Sequence, residues 1–145
     1  MIATNVWGEL IKDFQEKDLP DLVERDIAYP LTTPLRRAIA IIGPRRAGKT
    51  YTMFQAIKTL IAHGTKKSRL VYINFEDSRL LDASVHDLNN MLDVYFEIYP
   101  ENKRQRVWFF LDELQLIEKW ESFVRRLLDN ENIQVFITGS SSKMM

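Results

Sequence analysis

Short apolar runs alternate along the chain with longer amphipathic segments, and this alternation predicts strands separated by helices. The apolar runs are short and rich in β-branched or aromatic side chains, which favours buried strands over helices. They lie at residues 39–42, 70–75, 107–111 and 133–137. The run at 107–111 is apolar at every position, which indicates a strand that is buried on both faces.

The segments between these strands repeat apolar residues at helical spacing. The predicted helices cover residues 49–63, 85–96 and 116–128. Gly64 is placed to end the first of them in the left-handed conformation, and Ser84 or Asp82 to cap the second. Because strand–helix–strand units cross over with one hand, the pattern predicts an α/β fold with a mainly parallel sheet between two layers of helices.

Residues 1–35 are predicted to form an N-terminal helical leader, ahead of a core domain at residues 36–145. Apolar positions within residues 6–14 form one helical face, and Pro20 is placed to open a second short helix at 21–27. A connector containing two prolines then leads to the first strand, since proline cannot continue a helix. We expect this leader to pack against the core.

Composition limits the classes of function. The chain has 145 residues, with 20 basic and 20 acidic side chains, so net charge gives no argument for nucleic-acid or anionic-membrane binding. It has no cysteine, which excludes disulfides, thiolate zinc sites and cysteine nucleophiles. His63 and His86 stand alone and are expected to be surface residues. No apolar run approaches the roughly 20 residues of a membrane helix, so we expect a cytoplasmic protein with no membrane partner.

Residues 43–50 match the phosphate-loop pattern G-x-x-x-x-G-K-[ST] without a mismatch, between a predicted strand and a predicted helix. The glycines let consecutive N–H groups point at one anion, and the helix N-terminus adds its positive dipole end. Lys49 is then expected to reach the β- and γ-phosphates, and Thr50 to bind Mg²⁺. The predicted nucleotide-binding residues are Gly43, Pro44, Arg45, Arg46, Ala47, Gly48, Lys49, Thr50 and Tyr51. A simple glycine turn would explain neither Lys49 nor Thr50.

Two acidic residues, Asp112 and Glu113, follow directly from the apolar run at 107–111. Both therefore emerge at the carboxyl end of a buried strand, the edge at which parallel α/β sheets bind ligands. Asp112 is suited to hold Mg²⁺ opposite Thr50, and Glu113 to polarise an attacking water. The alternative, two acids that merely end a surface strand, does not account for the apolar residues before them.

Polar residues at the ends of two other strands are further candidates. The last strand leads into a hydroxyl-rich segment containing Ser140, which is able to bind a γ-phosphate or orient the water. Asn74 leaves its strand at the same level, and its amide is able to hold Glu113 away from water. Capping of a strand or helix explains Asn74 equally well. The predicted catalytic residues are Glu113, Lys49, Asn74 and Ser140.

Four motifs in this order resemble those of the prokaryotic AAA+ type ATPases, in particular an archaeal and bacterial group with a Gly-x-Arg-Arg-x-Gly-Lys-Thr loop. The motifs lie at residues 43–50, 72–77, 110–115 and 137–142. The resemblance implies the strand order 5-1-4-3-2, a glutamate-switch role for Asn74 and a first-sensor role for Ser140 or Thr138. It also assigns Arg45 and Arg46 to the loop signature.

The same resemblance implies a fifth strand, a helical lid and often an arginine finger beyond the first sensor. None of these is found before Met145, so the chain looks like the N-terminal part of a longer ATPase. The first strand would then be an edge strand. We expect the leader, a symmetry mate or a second copy of the chain to cover it.

The sequence as a whole predicts Mg²⁺-dependent ATP binding and hydrolysis coupled to a conformational switch. Turnover is expected to be slow, because an arginine finger contributes a factor of about 10³ to 10⁵. One alternative is a regulatory nucleotide switch with little turnover, and a less favoured one is a small-molecule phosphotransferase. ATP and ADP are the expected ligands, whereas homo-oligomerisation and a nucleic-acid or protein client stay open.

Overall fold

A computed structural model describes residues 1–19, 37–42 and 48–139 of the chain. Its helices and strands alternate after an N-terminal helix, as the apolar pattern predicts. They are α1 (Thr4–Glu16), β1 (Ile39–Ile42), α2 (Lys49–Ala62), β2 (Leu70–Asn74), α3 (Val85–Ile98), β3 (Val107–Asp112), α4 (Trp120–Asn130) and β4 (Ile133–Gly139). Short 3₁₀ turns connect several of them, at Lys67–Arg69, Ser78–Leu80, Pro100–Arg104 and Leu114–Leu116. The short helix predicted at 21–27 lies outside the described residues.

The strands form one parallel sheet in the order β1-β4-β3-β2. Ile39 pairs with Phe136, and Asn74 at the end of β2 pairs with Asp112 at the end of β3. The α/β fold class is thereby confirmed. β4 separates β3 from β1, as the order 5-1-4-3-2 requires of its last four strands.

Each face of the sheet carries its own hydrophobic core, because successive side chains of a strand point to opposite faces. Along β3, Val107, Phe109 and Leu111 join the core shared with α3 and α4. Trp108 and Phe110 join the core shared with α2. Every residue of β3 is buried, which confirms the prediction of a strand covered on both faces and gives the three-layer arrangement.

Helix α1 packs against β2 and α3 and contributes to both cores. Trp7 and Ile11 are buried in the core on the α3 side, whereas Phe14 belongs to the core on the α2 side. The helix therefore lies at the β2 edge of the sheet. Helix α1 therefore does not cover the β1 edge, because its apolar face packs between β2 and α3 at the opposite edge. The rest of the leader, residues 20–36, lies outside the described part of the chain. Cover of the β1 edge by that segment, by a symmetry mate or by a second copy stays a prediction.

The ends of the elements follow local backbone chemistry. Gly64 has φ +98 just after α2, and Ser84 rather than Asp82 caps α3. Helix α4 begins later than the apolar pattern predicts, because Glu113 and Lys119 have positive φ values and bracket the 3₁₀ turn. Leu116, predicted as the first helical apolar residue, is instead 56% exposed.

Within the described ranges, no helix is long and apolar enough to cross a membrane.

Asp87 connects the N-terminus to the first turn of α3. Its carboxylate, on a residue only 2% exposed, accepts hydrogen bonds from the Ile2 N–H at 2.8 Å and the Ser84 N–H at 2.9 Å. Burial opposes ionisation of this group, but these hydrogen bonds, a third from the Ser84 hydroxyl and the N-terminal charge together hold the pKa of Asp87 below its usual value.

We predict that Asp87→Asn lowers the free energy of unfolding by about 1–3 kcal/mol at neutral pH, because it weakens hydrogen bonds to a buried charged acceptor. Since the folded-state pKa of Asp87 is depressed, its stabilisation is present above the unfolded pKa of about 3.9 and is lost as the pH falls through the folded value. Urea unfolding at neutral and acidic pH measures this. Asp93→Asn, at an exposed position of the same helix, is the matched control; equal effects of the two substitutions would contradict the assignment.

Candidate functional site

The carboxylate of Asp112 is the centre of a polar cluster at the carboxyl edge of the sheet. Asp112 is the last residue of β3 and only 1% exposed. Its Oδ2 accepts hydrogen bonds from the Thr50 and Tyr72 hydroxyls, each at 2.7 Å, and its Oδ1 accepts one from the Thr138 hydroxyl. Such charge-assisted hydrogen bonds offset the cost of burying a carboxylate. Side chains from α2, β2 and β4 therefore fix this one group.

The pleat of the sheet explains why these side chains meet. Asp112 follows Phe110 by two residues along β3, so both side chains point toward α2. Thr138 follows Phe136 by two residues along β4 and shares that direction. Tyr72 packs with the same core from β2. The hydroxyls and the carboxylate thus lie on the α2 face, where their strands end.

The start of α2 brings two more polar side chains to this edge. Gly48, the N-cap residue, has φ +83, a left-handed conformation that glycine adopts without strain. The chain then turns directly into the helix, so that Lys49 and Thr50 lie in its first turn. Lys49 is only 7% exposed although its side chain is cationic. The positive end of the helix dipole adds to this charge.

Glu113 adopts an uncommon backbone conformation at the same edge. Its φ of +57 and ψ of +39 lie in the left-handed region, which costs a non-glycine residue energy and is enriched at functional sites. The Glu113 N–H donates to the Thr138 hydroxyl oxygen at 2.9 Å. Its carboxylate accepts a hydrogen bond from the Gln115 amide and forms an ion pair with Lys49, with 3.8 Å between Nζ and Oε1. The acid is therefore directed toward the first turn of α2.

The Tyr72 hydroxyl is a permanent donor in this cluster. Burial, and next to it the negative charge of Asp112, raises the pKa of Tyr72 far above its usual value, so the phenol stays protonated. The ring is packed as well. Its centroid lies 4.8 Å from that of Phe54 on α2 and 5.9 Å from that of Phe14 on α1.

The structure brings together four of the residues that the sequence singles out, namely Lys49, Thr50, Asp112 and Glu113. Tyr51 lies beside them in the first turn of α2 and is 39% exposed. Six further predicted residues lie outside the described part of the chain; they are Gly43, Pro44, Arg45, Arg46, Ala47 and Ser140. Their assigned roles stay predictions.

Asn74 lies where the sequence places it but makes a different contact. Its side-chain oxygen accepts a hydrogen bond from the Glu76 N–H at 2.9 Å, which ends β2 with a local turn. Among the described residues, no hydrogen bond joins Asn74 to Glu113. The amide that does contact Glu113 belongs to Gln115. The capping role is thus the one observed for Asn74, and its role toward Glu113 stays a prediction.

Sequence reasoning assigned no role to Tyr72 or Gln115. A signal for Tyr72 existed, because it lies two residues before Asn74 and so points to the same face of its strand. For Gln115 there was none, since its contact with Glu113 depends on the left-handed turn at that glutamate.

The chemistry of these donors suits a hard divalent cation. Thr50 and Asp112 present oxygen atoms 2.7 Å apart, and Mg²⁺ prefers one or two such protein ligands together with waters and phosphate oxygens. Among the described residues, no group of three or more His, Cys, Asp and Glu side chains forms a cation cage. The site therefore fits Mg²⁺ that a nucleotide helps to hold, rather than a cation held by protein alone.

Comparison with known families is consistent with this geometry. A family model described as an AAA domain matches residues 35–145, which include β1 to β4 and every residue of the polar cluster. No solved structure matches the chain significantly.

Three similar proteins, from Methanocaldococcus jannaschii and Haemophilus influenzae, are each described as uncharacterized. One from Methanocaldococcus jannaschii is 39% identical over 124 residues, covering 86% of this chain and 25% of the relative. One from Haemophilus influenzae is 29% identical over 105 residues, covering 72% of this chain and 26% of the relative. A second relative from Methanocaldococcus jannaschii is 26% identical over 123 residues, covering 84% of this chain and 25% of the relative. The chain thus spans about a quarter of the length of these relatives.

We predict that Thr138→Val lowers the free energy of unfolding by about 1–3 kcal/mol, because it leaves the Glu113 N–H without its acceptor and Oδ1 of Asp112 without its donor. Valine keeps the shape of threonine, so chemical denaturation reports mainly the lost hydroxyl. Thr59→Val is the matched control, since the Thr59 hydroxyl donates to the Gln55 carbonyl on α2, away from the cluster. If both variants lose the same small amount, the Thr138 hydroxyl does not stabilise the site.

Proposed function

The chain belongs to the AAA domain family, and membership of this family suggests a nucleotide-binding, ATPase-like function. We propose that it binds Mg-ATP, hydrolyses it and couples its nucleotide state to a conformational change. The observation that carries the proposal is the meeting of two sequence motifs. Lys49 and Thr50, at the start of α2, contact Glu113 and Asp112, at the end of β3. A phosphate-binding loop followed by this acidic pair is the arrangement that phosphoryl transfer to water needs.

Thr50 and Asp112 are the residues that would hold Mg²⁺. In this structure their side chains share a hydrogen bond, and both are oxygen donors at the edge where the phosphates would lie. Bound there, Mg²⁺ would neutralise charge on the β- and γ-phosphates. Lys49 would add its own positive charge to the same phosphates.

Glu113 is the group that we assign to the attacking water. The glutamate would accept the proton of the water while the water oxygen bonds to the γ-phosphorus, and the bond to the β–γ bridging oxygen breaks to release ADP and phosphate. Geometry supports this role, because the carboxylate lies at the same edge as Lys49. Its left-handed backbone fixes that direction.

The ion pair between Lys49 and Glu113 suggests how nucleotide state is coupled to conformation. In this structure the two side chains are 3.8 Å apart, and the Lys49 charge is the one that phosphates would attract. Binding of ATP would therefore compete with Glu113 for Lys49. Glu113 would then be free to change its position.

The same contacts favour a second candidate function, a regulatory nucleotide switch with little turnover. The Glu113 carboxylate is held by both Gln115 and Lys49. An acid retained in these contacts would not activate water, and ATP would then act chiefly by changing the shape of the site. The difference between the two functions is whether Glu113 leaves these partners once ATP is bound.

The process that ATP hydrolysis would drive is expected to depend on regions of the longer relatives that this chain does not match. The chain spans about a quarter of the length of its relatives, so a nucleic-acid or protein client would be specified by other regions. Homo-oligomerisation stays open, whereas a cytoplasmic location and slow turnover stay predictions from the sequence.

We predict that Glu113→Gln retains ATP binding but lowers phosphate release by about 10²-fold or more, because glutamine cannot accept the proton of the water. Lys49→Ala should abolish ATP binding in the same preparation. Calorimetry with ATP and Mg²⁺ measures binding, and a phosphate-release assay measures turnover.

Glu118→Gln, an equal change of charge at an exposed position nearby, is the control and should behave like the parent protein. Unchanged phosphate release by Glu113→Gln would refute hydrolysis through this glutamate. Binding of ATP with negligible release by the parent protein would favour the regulatory switch instead.

A further inference from the structure

We propose that Tyr72 is a positioning residue of the Mg²⁺ site, whose hydroxyl holds the Asp112 carboxylate in the orientation that binds the metal. The proposal rests on the function proposed above, since it assigns a task to Tyr72 within the same site. The observation behind it is that one carboxylate oxygen serves two donors. Asp112 Oδ2 accepts from Tyr72 and from Thr50, each at 2.7 Å.

The two donors would behave differently once a metal is held. Thr50 belongs to the phosphate-binding motif, and its oxygen is itself a predicted metal ligand, so its hydrogen bond to Asp112 would be replaced. Tyr72 comes from β2 and would keep its bond to Oδ2, while Thr138 from β4 keeps its bond to Oδ1. With a donor retained on each oxygen, the carboxylate could not rotate away. Groups that orient a metal ligand in this way tune the affinity for the metal.

Tyr72 is itself held firmly enough to act as such a support. Its backbone lies within the sheet, in register with Phe110 of β3. Its ring packs between Phe54 of α2 and Phe14 of α1. Strand pairing fixes the backbone of Tyr72, and the two aromatic rings restrict its side chain. The hydroxyl is therefore held in place with little further loss of side-chain entropy.

The contact with Phe14 gives α1 an indirect link to the site. Phe14 is the α1 residue that joins the core on the α2 side, and it touches the ring of Tyr72 rather than the acids. The N-terminal helix thus supports the residue that supports Asp112.

A purely structural role for the Tyr72 hydroxyl makes a different prediction. A buried hydroxyl needs a partner in any case, and its removal would change stability alone. A positioning role changes how strongly Mg²⁺ enhances ATP binding. The test must therefore measure metal dependence rather than stability.

Tyr72→Phe removes only the hydroxyl and keeps the ring between its two aromatic neighbours. Tyr95→Phe is the matched control, because the Tyr95 hydroxyl is also buried and donates to the Ser68 carbonyl at 2.7 Å, on the opposite face of the sheet. ATP affinity is measured by calorimetry for both variants and the parent protein, first in EDTA and then across a titration of Mg²⁺. Thermal unfolding of each protein is recorded in parallel.

We expect Tyr72→Phe to bind ATP in EDTA as the parent protein does, but to need about 10-fold more Mg²⁺ for the same gain in ATP affinity. Tyr95→Phe should show the parent Mg²⁺ dependence even where its thermal stability is lower. Equal Mg²⁺ dependence of Tyr72→Phe and the parent protein would overturn the positioning role while leaving the proposed function intact. Failure of the parent protein to bind ATP would overturn both.

Discussion

The burial of one ionised carboxylate is the constraint on which the rest of this site depends. Asp112 ends a strand that is covered on both faces, so its charge cannot be solvated by bulk water. Hydroxyls from three neighbouring elements take the place of that water. Strands β2 and β4 must pair in the correct register, and α2 must pack at the correct position, for these hydroxyls to reach the carboxylate. The site around Asp112 therefore depends on the arrangement of the strands and of α2 in the fold.

The two hydrophobic cores, one on each face of the sheet, hold these elements in position. The core on the α3 and α4 side fixes β3 and β4 together, and the core on the α2 side fixes the helix that carries Lys49 and Thr50. Helix α1 contributes to both cores at the β2 edge and so connects the two faces of the sheet there. A polar cluster spread over several elements is held in place only where packing leaves those elements few alternatives.

Among the described residues, the non-glycine residues with positive φ values lie between the site and α4. Glu113 and Lys119 have positive φ values on either side of a short 3₁₀ turn, and the Thr138 hydroxyl accepts the Glu113 N–H. Each such residue costs on the order of 1–3 kcal/mol, so the surrounding contacts must determine the turn. The result is a glutamate directed back toward Lys49 rather than onward along the chain. The strained residue Glu113 is thus the one to which the proposed function assigns the attacking water.

The sequence by itself determined the strands, the helices, the parallel α/β class and the residues of the two motifs, because apolar spacing and the phosphate-loop pattern are local signals. It also predicted that Lys49, Thr50, Asp112 and Glu113 would share one edge, since the carboxyl ends of parallel strands meet there. Only the tertiary structure decided that Tyr72 and Gln115 contact the two acids and that α1 lies at the β2 edge. These contacts depend on strand register, a left-handed turn and packing between distant segments. The spacing of Tyr72 and Asn74 indicates a shared face of β2, but no local pattern in the sequence shows which partner a side chain reaches in another segment.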